Sequence, residues 1–400
     1  MNRKYKRTLT FIREKKEKTR SVNVNSLVVI PALNPMQNLA DFVRDLLEHG
    51  VPQVIIVNDG SDASFNSIFH SVEQLEHCTV LTHKENRGKG RALKTAFSYV
   101  IEHFSHLDGV VTADADGQHT VEDICRICER LSLKKNDLIL GVRNFKAENV
   151  PKRSYMGNRV TSRIFQVLYG YNLQDTQTGL RGIPVSELVW MVELNGERYD
   201  FEINMLIKAR HRNIGFSTIS IKTVYYDNNS GSHFSTVKDA SSIFLRLISG
   251  LIQYSGATIL SGFLDILGFF MLNSVVFAAF SAPVRIFVST VIARVISSLC
   301  NYLMNRNLIF AYNGKLASSV LRYYILCIFL MLTSFSLVYT FSLFWRVNES
   351  VIKIFIDIAL GLFSYQVQLR WVFRDKEYSK VSSALGIKRH FRLRRFTRKM

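Results

Sequence analysis

Residues 109–119 read Gly109-Val110-Val111-Thr112-Ala113-Asp114-Ala115-Asp116-Gly117-Gln118-His119. A short apolar, β-branched run that ends in turn residues is the signature of a buried strand. Two carboxylates two residues apart, set just past that strand, suit a hard divalent cation. An isolated Asp-x-Asp is more often a solvated turn, so its meaning depends on what surrounds it.

Working outward, similar apolar runs occur at Ser26–Ile30, Val54–Val57, Thr79–Leu81 and Asp137–Leu140. Helical-period stretches separate them at Leu39–Glu48, Phe65–Leu75, Gly90–Phe104 and Val121–Leu131. This alternation predicts an α/β domain with a mostly parallel sheet. Such sheets bind ligands beyond the carboxyl ends of their strands. Two further strand ends therefore matter, Pro31-Ala32-Leu33-Asn34 and Asn58-Asp59-Gly60-Ser61. A strand-end carboxylate such as Asp59 can accept from a ribose or a base. Asn86-Arg87-Gly88-Lys89-Gly90 opens a helix, where glycines let backbone N–H groups approach phosphate. The spacing is not that of a P-loop.

The second half of the chain is different. From Leu247 to Val284 the only charge is Asp265, enough for one span with an interfacial lead-in or for two spans. Residues 286–305, Tyr323–Trp345 and Ser350–Leu369 complete an expected set of four spans, with Arg294, Lys353 and Asp357 inside them. Ionisable groups at such depth usually face a partner or a polar cavity, and an Arg294–carboxylate pair is expected. Residues 1–20 carry nine Lys/Arg against two Glu, and residues 376–400 nine against one. Both basic tails belong inside by the positive-inside rule, which requires an even number of crossings.

Composition sets the outer bounds. The 400 residues carry a formal charge of +19 yet are 48% hydrophobic, which excludes intrinsic disorder. Five scattered cysteines do not make a secreted disulfide scaffold. Cys125 and Cys128 have no second pair at zinc spacing and read as a packed helical face. The tails come with no nucleic-acid motif, so a bilayer is the expected partner and nucleic acid is not. The N-terminus lacks the apolar run of a signal peptide, so the chain is expected to start in the cytosol.

The motifs Val29-Ile30-Pro31-Ala32-Leu33-Asn34, Val57-Asn58-Asp59-Gly60-Ser61, Asn86-Arg87-Gly88-Lys89-Gly90 and Asp114-Ala115-Asp116-Gly117-Gln118-His119 occur in this order. Residues 25–235 thereby resemble a family 2 glycosyltransferase of GT-A fold, on the dolichyl- and polyprenyl-phosphate sugar synthase branch. Residues 236–375 resemble the GtrA-like four-span family, through Asn305-Arg306 with Phe310 and Arg370-Trp371-Val372-Phe373. The tails, 1–24 and 376–400, lie outside both resemblances.

The resemblance implies metal-dependent, inverting transfer of a sugar from a UDP- or GDP-sugar to polyprenyl phosphate, undecaprenyl phosphate being expected. It implies a multi-pass plasma-membrane protein of cell-envelope glycosylation, with its catalytic domain and both termini cytoplasmic. Asp114, Asp116 and Gln118 match the metal positions, for Mg²⁺ or Mn²⁺. Pro31, Asn34, Asp59, Arg87, Lys89, Asp114 and Ser232 match the nucleotide-sugar site. Asp116, Asp175, Arg143 and Arg153 match the reacting centre, the two arginines on the acceptor phosphate. The chain departs from the pattern at Pro35, where an acidic residue is usual. A hydroxyl acceptor would instead need a base, for which Asp200 and Glu202 are candidates. A lipid-linked sugar transporter is the other alternative, and the oligomeric state stays open.

Overall fold

The structure is a computed structural model that describes residues 25–145, 152–222, 238–310, 312, 314–344 and 348–374. Two compact units divide them, one of residues up to 210 with 214–249, the other of residues from 250 with 211–213.

The first unit is built on seven strands: β1 (Ser26–Ala32), β2 (Val54–Asn58), β3 (Cys78–Thr82), β4 (Gly109–Thr112), β5 (Asp137–Arg143), β6 (Arg181–Pro184) and β7 (Gly215–Ile221). Their spatial order is β3-β2-β1-β4-β6-β5-β7. All neighbours are parallel except β6, which runs antiparallel to both β4 and β5. The helices between them are α1 (Leu39–Glu48), α2 (Asn66–Glu73), α3 (Lys89–His103), α4 (Val121–Leu133), α5 (Lys152–Tyr169), α6 (Leu188–Val192) and α7 (Asp200–His211). This is the α/β GT-A arrangement expected from the sequence.

Strand side chains alternate between faces, and the two cores follow that alternation. Val28 and Ile30 of β1 pack with Leu39, Val43 and Leu46 of α1 and with Ile124 and Ile127 of α4. Leu27 and Val29 pack on the other face with Leu93 and Phe97 of α3 and with Phe201 and Met205 of α7. Because β1 lies between β2 and β4, the chain's order reverses there. That is where an α/β sheet opens a ligand crevice.

The apolar helices are α8 (Lys238–Met271), whose residues from 250 on belong to the second unit, and α9 (Ala282–Met304), α10 (Leu316–Phe344) and α11 (Glu349–Val367), which lie wholly in it. Four helices are long and apolar enough to cross a membrane, matching the expected count. α8 is one continuous helix of 34 residues, so its stretch makes a single span with a lead-in. α8, α9 and α11 each end in a π-helical turn, at Leu272–Val276, Asn305–Ile309 and Gln368–Val372. Arg294 pairs with Asp265 at 3.1 Å, as expected, and Ser297 also donates to that carboxylate.

Candidate active site

The ends of β1, β2 and β4 open into one cleft of about 220 Å³, walled by Pro31, Asn34, Asp59, Lys89, Asp114, Asp116 and Tyr199 among others. Two loops form its rim. Asn34 takes a left-handed backbone, φ 49°, and its side-chain oxygen accepts from the Asp62 N–H at 2.9 Å. Its own N–H donates to Ser61 Oγ, also at 2.9 Å, so the β1 loop is clamped to the β2 loop.

Asp59 is almost fully buried, and its carboxylate is well used. The backbone N–H groups of Arg87 (3.0 Å) and Gly88 (2.7 Å) donate to it, and His83 Nδ1 lies 2.6 Å away. The carboxylate thus fastens the Asn86–Gly90 loop to the end of β2, beside the start of α3. Gly88, at φ 97°, lies so close to the Glu197 carbonyl that a Cβ would sit 2.4 Å from its oxygen. No larger residue fits there. The Arg87 guanidinium is left on the exposed side of the loop.

Lys89, the first residue of α3, reaches Asp114 Oδ1 at 2.6 Å and Glu202 Oε1 at 3.1 Å. Burial works against its charge, but Asp114 and Glu202 outweigh burial and hold the ammonium above its ordinary range. Asp114 is the mirror case: burial would raise its pKa, and Lys89 with His119 holds it well below the usual carboxylate range. Asp116 differs from both. Burial and then the charge of Asp114 push its pKa up, with only the Gln118 N–H and more distant cations opposing. An excess of negative charge therefore sits at Asp116.

That imbalance is what a divalent cation would relieve, so the residues present fit one. No group of three or more His, Cys, Asp or Glu forms a metal cluster among the described residues. A cation here would rely on the two carboxylates plus phosphate and water oxygens, a normal arrangement for Mg²⁺.

Asp175 is fully buried beside the end of β5 and binds Arg143 in bidentate fashion, at 2.7 Å to Nε and 2.9 Å to Nη2. A buried, bidentate carboxylate fixes a guanidinium's plane. Sequence reasoning chose both residues without seeing them as a pair. Arg153 lies in α5, but its side chain is outside the described residues, as are Ser232 and His233. Asp200 and Glu202 stand in the first turn of α7. Glu202 is engaged by Lys89, and Asp200 accepts from the Arg198 N–H at 3.2 Å and meets Arg246 at 3.4 Å.

Of two further contributors, Arg181 ends the stretch Asp175–Arg181 that resembles the family's site-lining Asp-x-x-x-Gly-x-Arg segment, and Tyr199 was missed. Arg181 is buried and donates to the carbonyls of Thr178, Thr176 and Glu202, tying the segment after Asp175 to α7. Tyr199 lines the cleft, with Lys89 5.8 Å from its ring centroid, and burial pushes its hydroxyl up to about 12. A single exposed-looking Tyr before an Asp carries no sequence signal for that position.

The sequence between β1 and the residues just after β6, 27–186, matches the model of Glycosyl transferase family 2. This segment is a family 2 glycosyltransferase domain. The chain is 29% identical over 238 residues to a UDP-N-acetylglucosamine–dolichyl-phosphate N-acetylglucosaminyltransferase of Methanococcus voltae, covering 55% of this chain and 94% of that protein. It is 23% identical over 224 residues to the glycosyltransferase AglJ of Haloferax volcanii, covering 55% and 70% respectively. Among solved structures, glucosyl-3-phosphoglycerate synthase of Mycobacterium tuberculosis aligns with a TM-score of 0.43 and 14% identity, over 58% of this chain and 81% of that one. The matched segment supplies the strand ends and loops of the cleft, Tyr199 of its wall lies just past the match, and the four apolar helices lie further along the chain.

Proposed function

We propose that this glycosyltransferase moves a sugar from a nucleotide sugar to polyprenyl phosphate at the cytoplasmic face of a membrane. The observation that carries the reading is the meeting of Lys89, Asp114 and Asp116 in a single strand-end cleft. The chain's four apolar helices and its likeness to a dolichyl-phosphate enzyme support the lipid acceptor.

The difficult step is departure of a nucleoside diphosphate, on which negative charge accumulates. Lys89 stands in the cleft where it would meet that charge, and Arg87 brings a second cation on the same loop from its exposed side. Asp114 and Asp116, with Gln118, would hold Mg²⁺ or Mn²⁺, which supplies Lewis-acid charge to the diphosphate when bound. Pro31 and Asn34 wall the nucleoside side, and Asp59 keeps the Arg87–Lys89 loop in place. The resemblance adds Ser232, which lies outside the described residues, to the nucleotide-sugar site.

A lipid phosphate is already ionised at neutral pH, so it needs positioning more than a base. Arg143, its plane fixed by Asp175, takes that role, with Arg153 as the second cation. Glu202 is held by Lys89 rather than poised to receive a proton, which favours phosphate over hydroxyl. Residues 236–375 serve as a GtrA-like membrane half, with both basic tails on the cytoplasmic side and cell-envelope glycosylation as the setting. Undecaprenyl phosphate is the expected acceptor, with a UDP- or GDP-sugar as donor.

The test is transfer of radiolabel from a panel of UDP- and GDP-sugars to undecaprenyl or dolichyl phosphate in membranes, with Mg²⁺, Mn²⁺ or EDTA. Labelled lipid is expected from one donor, with a loss of at least about 100-fold in Asp116→Asn, the scale of removing one charge-stabilising group. Transfer that survives both the substitution and EDTA would sink the metal assignment. Label reaching only phosphatase-treated lipid extracts would move the acceptor to a hydroxyl.

A further inference from the structure

Among the described residues, two cationic side chains line the cleft, Lys89 and Arg198. Lys89 already answers two carboxylates, Asp114 at 2.6 Å and Glu202 at 3.1 Å. Arg198 is committed far less. Its side chain is 49% exposed and meets Asp239 at 3.6 Å, outside hydrogen-bond distance. Both residues belong to the first unit. Asp239 does not depend on that contact. It is buried in the first turn of α8, where the N–H ends of the helix favour a carboxylate.

The backbone around Arg198 is fixed from both sides. Two residues of α3 grip its neighbour Glu197, Arg91 at 2.6 Å and Lys94 at 2.9 Å. The Glu197 carbonyl also accepts from the Arg91 N–H at 3.0 Å, and the Arg198 N–H donates to Asp200 at 3.2 Å. Glycines let this strap lie close on the start of α3. A Cβ on Gly90 would sit 2.9 Å from the Arg198 carbonyl oxygen, and one on Gly88 2.9 Å from Arg198 Cγ. The side chain thus crosses the Gly88–Lys89 loop at the N-terminus of a 15-residue helix, an end that favours anions. Charge balance points the same way. Lys89 is outnumbered by Asp114, Asp116 and Glu202, so an entering anion needs a further positive charge.

We propose that Arg198 binds a phosphate group of the substrate in this cleft, exchanging Asp239 for it. The inference rests on the transferase function proposed above and adds an anion-binding residue to it. The donor's diphosphate and the acceptor's phosphate both supply that chemistry. A guanidinium presents two parallel N–H donors to either, where an ammonium is a point charge. Because the backbone is held, the side chain changes partners without moving the chain.

The test compares the parent with Arg198→Gln, Arg198→Lys and Asp239→Asn as full-length protein in lipid nanodiscs, each with a thermal melt. Equilibrium binding of UDP and GDP is measured, beside KM for the donor and for undecaprenyl phosphate. If Arg198 holds the donor, Arg198→Gln weakens nucleotide binding at least about tenfold, the scale of a charge-assisted hydrogen bond. If it holds the acceptor, nucleotide binding is unchanged and KM for undecaprenyl phosphate rises at least about tenfold. Arg198→Lys is expected to recover part of either loss. Asp239→Asn, which releases Arg198, is expected to bind at least as tightly as the parent. A merely structural ion pair would make Asp239→Asn and Arg198→Gln behave alike, which would overturn the proposal. So would a folded Arg198→Gln that binds nucleotide and uses both substrates like the parent; the transferase reading would stand in both cases. A parent that binds neither UDP nor GDP would overturn that reading and the proposal with it.

Discussion

Gly179 shows how one residue can hold a site together through what it lacks. A Cβ there would sit 2.2 Å from Asp114 Oδ2, and the Gly179 carbonyl accepts from Thr112 at 2.7 Å. The obstacle is the end of a side chain, so in Gly179→Ala the carboxylate swings aside rather than the backbone moving. Transfer activity is expected to fall at least about tenfold while stability changes by no more than about 1 kcal/mol, the range of ordinary substitutions. Activity measured beside a thermal melt checks this. Gly157→Ala, on α5 with open space around it, is the control and should retain full activity. Lys89, Asp114 and Asp116 could be chosen from the chain alone, because their motifs fall together at the strand and helix ends where an α/β sheet binds its ligand. The work of Asp59 could not. Its oxygens face N–H groups from a loop far along the chain, and only the folded structure brings them together.

At the scale of the element, α4 decides the meaning of the C-x-x-C. Cys128 is buried against β-sheet residues in the core, and Cys125 is half-buried. Burial, reinforced by Glu129 and Glu122, pushes the Cys125 thiol up to about 11. Raising a thiol's pKa lowers its thiolate fraction at any given pH, and the thiolate is the reactive form. At pH 8 roughly one Cys125 in a thousand is ionised, against about a quarter for an ordinary thiol near 8.5. Site-resolved alkylation of the folded protein is expected to be slow at pH 8 and to rise about tenfold per pH unit up to pH 10. Rapid labelling of Cys125 at pH 8 would contradict this packing. The strands built from continuous apolar, β-branched runs were legible; β6 was not. Arg181-Gly182-Ile183-Pro184 is short, carries a charge and ends in proline, so it shows no period. It is a strand because β4 and β5 supply hydrogen bonds on both sides. β7, with polar residues at alternate positions, pairs in parallel with β5 and was missed for a related reason.

Across the whole molecule, a family 2 glycosyltransferase domain and four apolar helices share one chain. The helices are joined by a polar network that hydropathy does not show. Gln368 donates to Tyr254 and Ser364 while accepting from Asn305, all buried. Asn305→Leu leaves the Gln368 carbonyl without that donor and should cost about 0.6 kcal/mol, the mean measured for hydrogen bonds between membrane helices, and no more than about 1.7. The double variant with Gln368→Leu should cost less than the two single variants combined, as unfolding in mixed detergent would show. Additive losses would mean the two amides act independently. Composition and periodicity alone determined that this chain has a polar α/β part followed by four spans, because burial and bilayer thickness impose periods and lengths that any sequence must display. Only the tertiary structure decided which polar groups meet. Asp175 with Arg143, Lys89 with Asp114 and Glu202, and Asn305 with Gln368 are pairs set by strand order and helix packing, and distance along the chain carries no record of either.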